Sequence, residues 1–396
     1  MRTFSSIFSQ LLQLFPRTEF AALSKKHRAE RHARGFNCWT QFIAMLFCQL
    51  GRAHSLREIC GGLASIEGRL KHLGVETAPK RSTLAYANEH RPAALFQDVF
   101  GGLLERCRAL CAPHKFRFKN KLMSLDATII ELCLEMFDWA KFRRTKGAVK
   151  LHLLLDHDGY LPCFGVITEG KVHEIRVARS LDLPPDTILA IDRGYLDYLW
   201  LDQLDERGVF FVTRLKAGAL FAIEAELSAP QANILADELI GLPGSGKSYK
   251  AMRLFRRVVV WDEVQQREIV LLTNNLKLSA RTIAAIYKER WQIEMFFKAL
   301  KQNLKVKTFV GTSANALRIQ IWTALIAMLL LKYLQFKSRL GWALSNLVAL
   351  LRWNLFTYRD LWAWIDNPYE TPPKNAGPEQ LMLPVRLLDS TQVVLT

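Results

Sequence analysis

The sequence lacks the marks of a disulfide-stapled, metal-clipped or membrane-spanning chain. Its seven cysteines, Cys38, Cys48, Cys60, Cys107, Cys111, Cys133 and Cys163, are odd in number and contain no C-x-x-C pair. Neither a disulfide framework nor a zinc site is expected, and the reading is of reduced thiols in a cytoplasmic protein. The opening MRTFSSIFSQLLQLFPRTEF has no apolar signal core followed by a small-residue cleavage site. Uncharged runs, such as those between Arg34 and Arg52 and between Arg318 and Lys332, are too short or too broken to cross a bilayer and read as buried helices. Acidic residues are also scarce, with 37 Asp and Glu against 54 Lys and Arg and a formal net charge of +17. Such an excess says nothing about fold, but it points to a polyanionic partner.

What is present is a globular composition over 396 residues, half of them hydrophobic and 23% charged. That length suggests two or three domains. The positive charge falls in two blocks. Residues 1–120 carry 19 basic and 8 acidic side chains, and residues 277–352 carry 13 and 2. The remainder is slightly acidic. Solubility alone does not require two blocks of one sign.

Along the chain, residues 1–115 read as helices. Gly35–Leu50 is an apolar helix, Ser55 with Glu58 forms a capping box, and Ser82 is expected to cap the next helix. Helix, turn and short basic helix fit either a helix-turn-helix or a plain bundle. From about residue 120 the period changes to that of strands. KLMSLDATII reads as a strand, VKLHLLLDHDG and YLPCFGVIT as a hairpin around Asp158-Gly159, and DTILAID and VFFVTRL as further strands, with short helices between. Residues 217–276 look β-rich. Ser279 caps a long helix to about Leu304, and apolar helices follow. The expected architecture is α/β, a mixed sheet with helices plus a β-rich insertion, an all-α N-terminal domain and a helical C-terminal part. The expected domains are 1–115, 116–335 with 217–276 inserted, and 336–396, whose tail Asn367–Pro378 is rich in Pro.

The helix Tyr287–Lys307 carries the most chemistry. With Tyr287 at zero and 100° per residue, Arg290, Glu294, Lys298, Lys301 and Lys305 all fall within about 60° of it. Glu294 is alone among cations on that stripe, while Glu289 points away. An ordinary surface helix mixes its charges to form i,i+4 pairs. A carboxylate that ligates a metal, beside cations that hold phosphates, gives the stripe a function. Phosphoryl transfer needs several hard oxygen ligands for two ions about 4 Å apart. Two further carboxylates suit that need. Asp126 interrupts an otherwise apolar strand, where a charge is costly unless paired or at a site. Asp192 ends the strand TILAID before Arg193-Gly194, where open sheets place ligand-binding groups.

The spacing Tyr287-x2-Arg290-x3-Glu294-x6-Lys301 resembles the Y-R-E-K signature of DDE transposases of the insertion sequence 4 family. Asp126 in LDAT and Asp192 in AIDRGY resemble that family's two Asp motifs, and GFNCWTQFIAMLF, SLREI and RSTLAYANEHRP resemble the N-terminal domain of one of its subgroups. The resemblance covers nearly the whole chain. It implies an RNase H-like catalytic domain, preceded by a helical DNA-binding domain, that binds two Mg²⁺ or Mn²⁺ through Asp126, Asp192 and Glu294. The metals would activate water, then a DNA 3′-hydroxyl, for in-line attack. Tyr287, Arg290 and Lys301, with Lys298 and Lys305 of the same stripe, would contact double-stranded DNA. A homodimer on DNA, no membrane, no nucleotide and a place in the bacterial cytoplasm at the nucleoid complete the expectation. The alternatives are an inactive or repurposed DNA-binding protein and a structure-specific nuclease of the same fold.

Other features read as structural. Gly241-LPGS-Gly246-Lys247-Ser248 matches a P-loop letter for letter, but a P-loop needs a helix after it, and SYKAMRLFRRVVVW is strand-like. A basic hairpin turn is expected instead. His152, His157 and His173 read as satisfied histidines, although His173-Glu174 could lie near the site. The basic runs Lys25–Arg34 and Lys141–Lys150 read as phosphate contacts if the chain binds DNA, and otherwise as solvated faces.

Overall fold

The computed structural model describes residues 4–370 except 32, 34, 67, 69, 134, 144–145, 229–230, 243–252 and 307. Helices α1 (Ile7–Leu12), α2 (Arg17–Lys26), α3 (Cys38–Leu50), α4 (Leu56–Ala64), α5 (Arg81–His90) and α6 (Ala94–Arg108) open the chain. The starts of α1, α3 and α4 are set by short polar side chains, Ser6, Asn37 and Ser55, that satisfy otherwise orphaned amides. Asn37 Oδ1 accepts from the Thr40 amide at 2.8 Å. Ser55 Oγ accepts from Glu58 at 3.1 Å, and Glu58 answers by accepting the His54 amide at 2.9 Å. Ser82 caps nothing: α5 already starts at Arg81, after Lys80, with no side-chain cap. Residues 65–80 separate α4 from α5, a longer link than the 3–4 residues of a helix-turn-helix.

One sheet of ten strands follows. Its strands are β1 (Leu122–Leu132), β2 (Lys141–Arg143), β3 (Lys146–Asp156) and β4 (Leu161–Glu169), then, after α7 (Glu174–Ala178), β5 (Ile188–Ile191). After α8 (Tyr198–Glu206) come β6 (Phe210–Arg214), β7 (Ala222–Glu226), β8 (Ile234–Leu242), β9 (Arg253–Asp262) and β10 (Arg267–Thr273). The order is β2-β3-β1-β5-β6-β10-β9-β8-β7, with β4 also on β3. β1 runs antiparallel to β3 and parallel to β5, and β5 runs parallel to β6. The β-rich stretch therefore extends this sheet, because β10 pairs with β6. The hairpin between β3 and β4 turns at Gly159, whose φ of 68° suits a residue without Cβ. Most of the Walker-like octapeptide, with the rest of residues 243–252, lies outside the described residues. The elements flanking it are antiparallel strands with Leu242 opposite Arg253, so the next described element is a strand and not a helix.

Alternation along β1 splits its side chains between two faces. Met123 and Leu125 pack with Leu189, Ile191 and the Trp200, Leu201 and Leu204 side of α8. Leu122, on the other face, packs with Ile188, Ala190, Ile283 and Ile286. The last two lie on α9 (Ala280–Glu289), which is followed by α10 (Trp291–Asn303), α11 (Ala314–Lys337), α12 (Leu344–Asn354) and α13 (Leu361–Asp366). Residues of α10, α11 and α12 share one apolar cluster with α1, α3, α6 and the β3 residues Leu151, Leu153 and Leu155. The N-terminal helices thus close over the same core as the helices after the sheet. Helix α11, at 24 residues, is long and apolar enough to cross a bilayer, contrary to the reading of its sequence, but its most apolar window is 83% buried inside the chain. Arg318 and Lys332 make it look shorter in sequence than it is.

The expected single helix from Ser279 is two. Ser279 does cap it, accepting from Thr282 at 3.2 Å. The helical ladder is interrupted at Arg290, and α10 ends at Asn303 because Leu304 turns extended, with φ −118° and ψ 165°.

Candidate active site

Arg290 lies at the junction of α9 and α10 with helical dihedrals, φ −49° and ψ −31°, and its guanidinium faces the sheet. Its guanidinium is 10% exposed and lies between two carboxylates. Nη2 donates to Glu294 Oε1 at 2.8 Å, and Nη1 is 3.8 Å from Asp126 Oδ2. Asp126 comes from the middle of β1, on the face that α9 and α10 cover, and its Oδ1 accepts the Ala127 amide at 2.8 Å. Asp192 follows β5 directly. Because Leu125 is opposite Ile191 in the parallel pair, the next step of the register places Asp192 beside Asp126, on strands about 5 Å apart. Three carboxylates distant in sequence therefore meet at one place on the sheet.

Their electrostatics follow from burial. Desolvation pushes the Asp126 carboxyl up to about 6; the Ala127 amide and Arg290 oppose this, and Glu294 and Asp192 add to it. Burial also disfavours the charged form of Arg290, but Tyr287, Glu294 and Asp126 outweigh it and keep the guanidinium charged. The half-buried Tyr287 carries that guanidinium 5.5 Å from its ring centroid, a cation–π contact. Arg290 Nε is buried without a partner among the described residues.

The remaining cations of the stripe separate. Lys298 is exposed on α10, one turn beyond Glu294. Lys301 Nζ donates to Ile129 O at 2.9 Å and so stitches α10 to β1 three residues past Asp126. Lys305 is not brought to the cluster. It lies past the end of α10, where the helical wheel no longer applies, and is 6% exposed. Its amide donates to Gln49 Oε1 at 2.8 Å and its Nζ is 2.8 Å from His54 Nδ1. Burial and the nearby Arg52 hold its pKa below the usual lysine value. Glu289, placed off the stripe by its spacing, does face away: it is buried, accepting from Tyr160 at 2.6 Å and paired with Lys115.

Glu174 accepts from Lys150 at 2.8 Å, Lys150 lying on the face of β3 turned away from Asp126. Burial alone would raise its pKa, and that bond outweighs it. His152, two residues on and so on the same face as Lys150, is buried with Nε2 3.0 Å from Thr168 Oγ1, and burial lowers its pKa to about 4. His157 Nε2 is 2.7 Å from Ser124 Oγ. Both histidines have one ring nitrogen without a partner among the described residues. The sequence reading missed Tyr195, three residues after Asp192. It is 2% exposed, its hydroxyl has no partner among the described residues, and burial, then Asp126, raises its pKa. The motif AIDRGY held the signal, but only its Asp was weighed.

The three carboxylates are hard oxygen donors, the kind divalent Mg²⁺ or Mn²⁺ takes. Among the described residues no group of three or more His, Cys, Asp or Glu side chains is close enough to hold one ion. A cation is nonetheless already there in kind, since the Arg290 guanidinium bridges Asp126 and Glu294.

Comparison with known proteins gives the family. Residues 117–330 match the model of the Transposase DDE domain, and residues 3–76 match a Domain of unknown function (DUF4372). The "Putative transposase y4zB" of Sinorhizobium fredii is 31% identical over 330 residues, 81% of this chain and 90% of that protein. The "Probable transposase for insertion sequence element IS5377" of Geobacillus stearothermophilus is 29% identical over 64% of this chain and 67% of its own length. A cryo-EM structure of the piggyBac transposase synaptic complex with hairpin DNA aligns over 93% of this chain and 81% of its own, at 8% identity and a TM-score of 0.40. That last likeness is too slight to argue from. The match over residues 117–330, with a relative 31% identical over four-fifths of the chain, places this protein in the family of DDE transposases.

Proposed function

We propose that the chain is an active transposase of the insertion sequence 4 family, in the subgroup with an added N-terminal helical domain. It binds the terminal inverted repeats of its element, cleaves DNA at the ends and joins the strands to target DNA. The observation that carries this reading is the mutual proximity of Asp126, Asp192 and Glu294, felt at Asp126, with Arg290 between Asp126 and Glu294. A sheet in which β1 lies between an antiparallel strand and a parallel one, with the first carboxylate in β1 and the second just past β5, supports the RNase H-like reading.

Asp126, Asp192 and Glu294 would hold two Mg²⁺ or Mn²⁺, which supply charge to activate water or a 3′-hydroxyl and to stabilise the leaving oxygen. Arg290, released from Asp126 and Glu294 when those ions bind, would hold a phosphate beside the carboxylates in the forked geometry guanidinium offers. Tyr287 orients that guanidinium through its ring, and exposed Lys298 adds an electrostatic contact to the DNA backbone. Lys301 keeps α10 seated on β1. Synapsis of two ends implies a homodimer on DNA, in the bacterial cytoplasm.

Asp126→Asn, Asp192→Asn and Glu294→Gln should each abolish cleavage of end-containing DNA in Mg²⁺ while leaving binding largely intact. Each removes a ligand charge but few DNA contacts. Cleavage at the wild-type rate by any of the three removes that residue from the site. Binding without cleavage by the wild-type chain would instead favour a repurposed DNA-binding protein.

A further inference from the structure

β6 brings one more cation to the sheet face on which Asp126 stands. In the parallel pair of β5 and β6, Ala190 is opposite Val212. Two further steps of that register place Asp192 beside Arg214, the last residue of β6. Alternation keeps Arg214 on the face of Val212, which packs with Ile283 and Ile286 of α9. Asp126 is on that face too, one strand beyond Asp192. Asp126, Asp192 and Arg214 therefore form a row across β1, β5 and β6, about 5 Å from strand to strand. Tyr287 of α9 senses the end of that row. Burial raises the pKa of its hydroxyl; Arg290 lowers it, Asp192 raises it and Arg214 lowers it. Both arginines and Asp192 thus act on one side chain.

The two arginines differ in what holds them. Arg290 is bound between Glu294 and Asp126. Arg214 is half-buried, and among the described residues its guanidinium has neither an ion pair nor a hydrogen bond, although Asp192 is its neighbour in the register. A charge drawn partly out of water is normally paired, and a guanidinium has five N–H donors to place. Arg290 must exchange two carboxylates before it can take a phosphate, whereas the donors of Arg214 are open from the start. We propose that Arg214 contacts the substrate, holding a DNA backbone phosphate beside Asp192 before any divalent ion is bound, and that Arg290 adds its phosphate contact only afterwards. The inference rests on the transposase reading. It adds to that reading a residue outside the stripe of Tyr287 to Lys305, and an order of engagement.

The test is a salt titration of binding by the full chain to an end-containing duplex, read by fluorescence anisotropy in a chelator. Arg214→Gln should lower the slope of log affinity against log salt by about 0.9, the value of one phosphate contact. Arg214→Lys keeps the charge and should keep the slope, which separates a lost contact from a fault in folding. Arg290→Gln should leave the slope unchanged in the chelator, although it weakens binding by leaving Asp126 and Glu294 uncompensated. Arg207→Gln, at the other end of β6 and paired with Asp182 at 2.7 Å, should also leave it unchanged. A wild-type slope in Arg214→Gln overturns the proposal, as does an equal loss in Arg214→Lys, Arg290→Gln or Arg207→Gln. A wild-type chain that binds no duplex until a divalent ion is added overturns it as well. Cleavage by the wild-type chain in Mg²⁺, and its loss in Asp126→Asn, decide the transposase reading separately.

Discussion

The β-rich strands are tied to the site through an ion pair almost without water. Arg256 of β9 and Asp237 of β8 have side chains 6% and 1% exposed. The guanidinium meets the carboxylate fork to fork, Nε to Oδ1 at 2.7 Å and Nη2 to Oδ2 at 2.8 Å. Its Nη1 also donates to Asn275 O at 3.2 Å and Leu278 O at 2.6 Å. Leu278 precedes the Ser279 cap of α9, the helix that ends at Arg290. One side chain thus joins two strands to the root of the helix that reaches the carboxylates. Arg256→Met would strand a buried carboxylate and two carbonyls, and should cost about 3–5 kcal/mol. Asp237→Leu would leave a buried cation and should cost about as much. The double variant buries no charge and should recover most of the loss. At about 2.1 cal/mol/K of unfolding entropy per residue, 4 kcal/mol in a chain unfolding as one unit lowers Tm by about 5 °C.

The pair also sets a pH dependence. Burial pushes the Asp237 carboxyl up, but the Arg256 and Ser228 hydrogen bonds outweigh this and hold it below its ordinary 3.8. A carboxyl depressed in the folded state contributes stability that is fully present above 3.8 and is lost as pH falls through the folded value. The stability gap between wild type and Asp237→Asn should therefore be widest near neutral pH and shrink below about 3.8. Urea unfolding of both single variants and the double variant at pH 7 gives the coupling energy directly. A single-variant loss under about 1 kcal/mol, or a double variant no better than either single, would refute this account.

Three further outcomes follow from the placement of cations and loops. Lys298→Ala should lower the salt slope of DNA binding by about 1, because the exposed lysine is free to meet a phosphate; Lys305→Ala should not, because its ammonium is buried beside His54. Equal slopes for the two variants would remove the distinction. Arg290→Ala should cut affinity for end-containing DNA more than Lys288→Ala does, as measured by the same titration, since Lys288 lies off the stripe. Lys247→Ala should leave transposition within a few-fold and without a need for ATP, and saturable ATP binding lost in that variant would revive the P-loop.

The parts of the fold legible in sequence were those set locally. Alternation gave β1, β3 and β4, Asp158-Gly159 marked the hairpin of the last two, and Ser55 and Ser279 announced two helix starts. Ser82 misled because the cap position of α5 falls two residues earlier, at Lys80, with no side-chain cap. The continuity of the sheet was hidden, since pairing of β10 with β6 joins segments separated by β7, β8 and β9, and no local pattern records it. The break at Arg290 was hidden too: YKERWQIE contains neither Pro nor Gly, the usual causes of an interrupted helix. Asp126 stood out as a charge in an apolar strand, and Asp192 as the end of another. Their adjacency depended on the β1–β5 register, which follows only from the parallel pairing.

Burial of Arg290 against the sheet also changes what the stripe means. On a straight helix, Arg290 and Glu294 form an ordinary i,i+4 pair on a solvated face, worth a few tenths of a kcal/mol. In the folded chain the guanidinium is 10% exposed and also faces Asp126, whose side chain is 22% exposed. In that drier setting the interaction is stronger, and removing one partner costs more than the pair contributes in water. Arg290 can turn toward a phosphate only if other positive charge replaces it between Asp126 and Glu294. Asp126 already titrates near 6 with the guanidinium present, so losing that cation uncompensated would drive it further toward the neutral acid. Arginine and carboxylates are thus poised as a mutually neutralised set. Two ligands of opposite sign, a cation for the acids and an anion for the arginine, can separate them with less charge left uncompensated than either ligand alone.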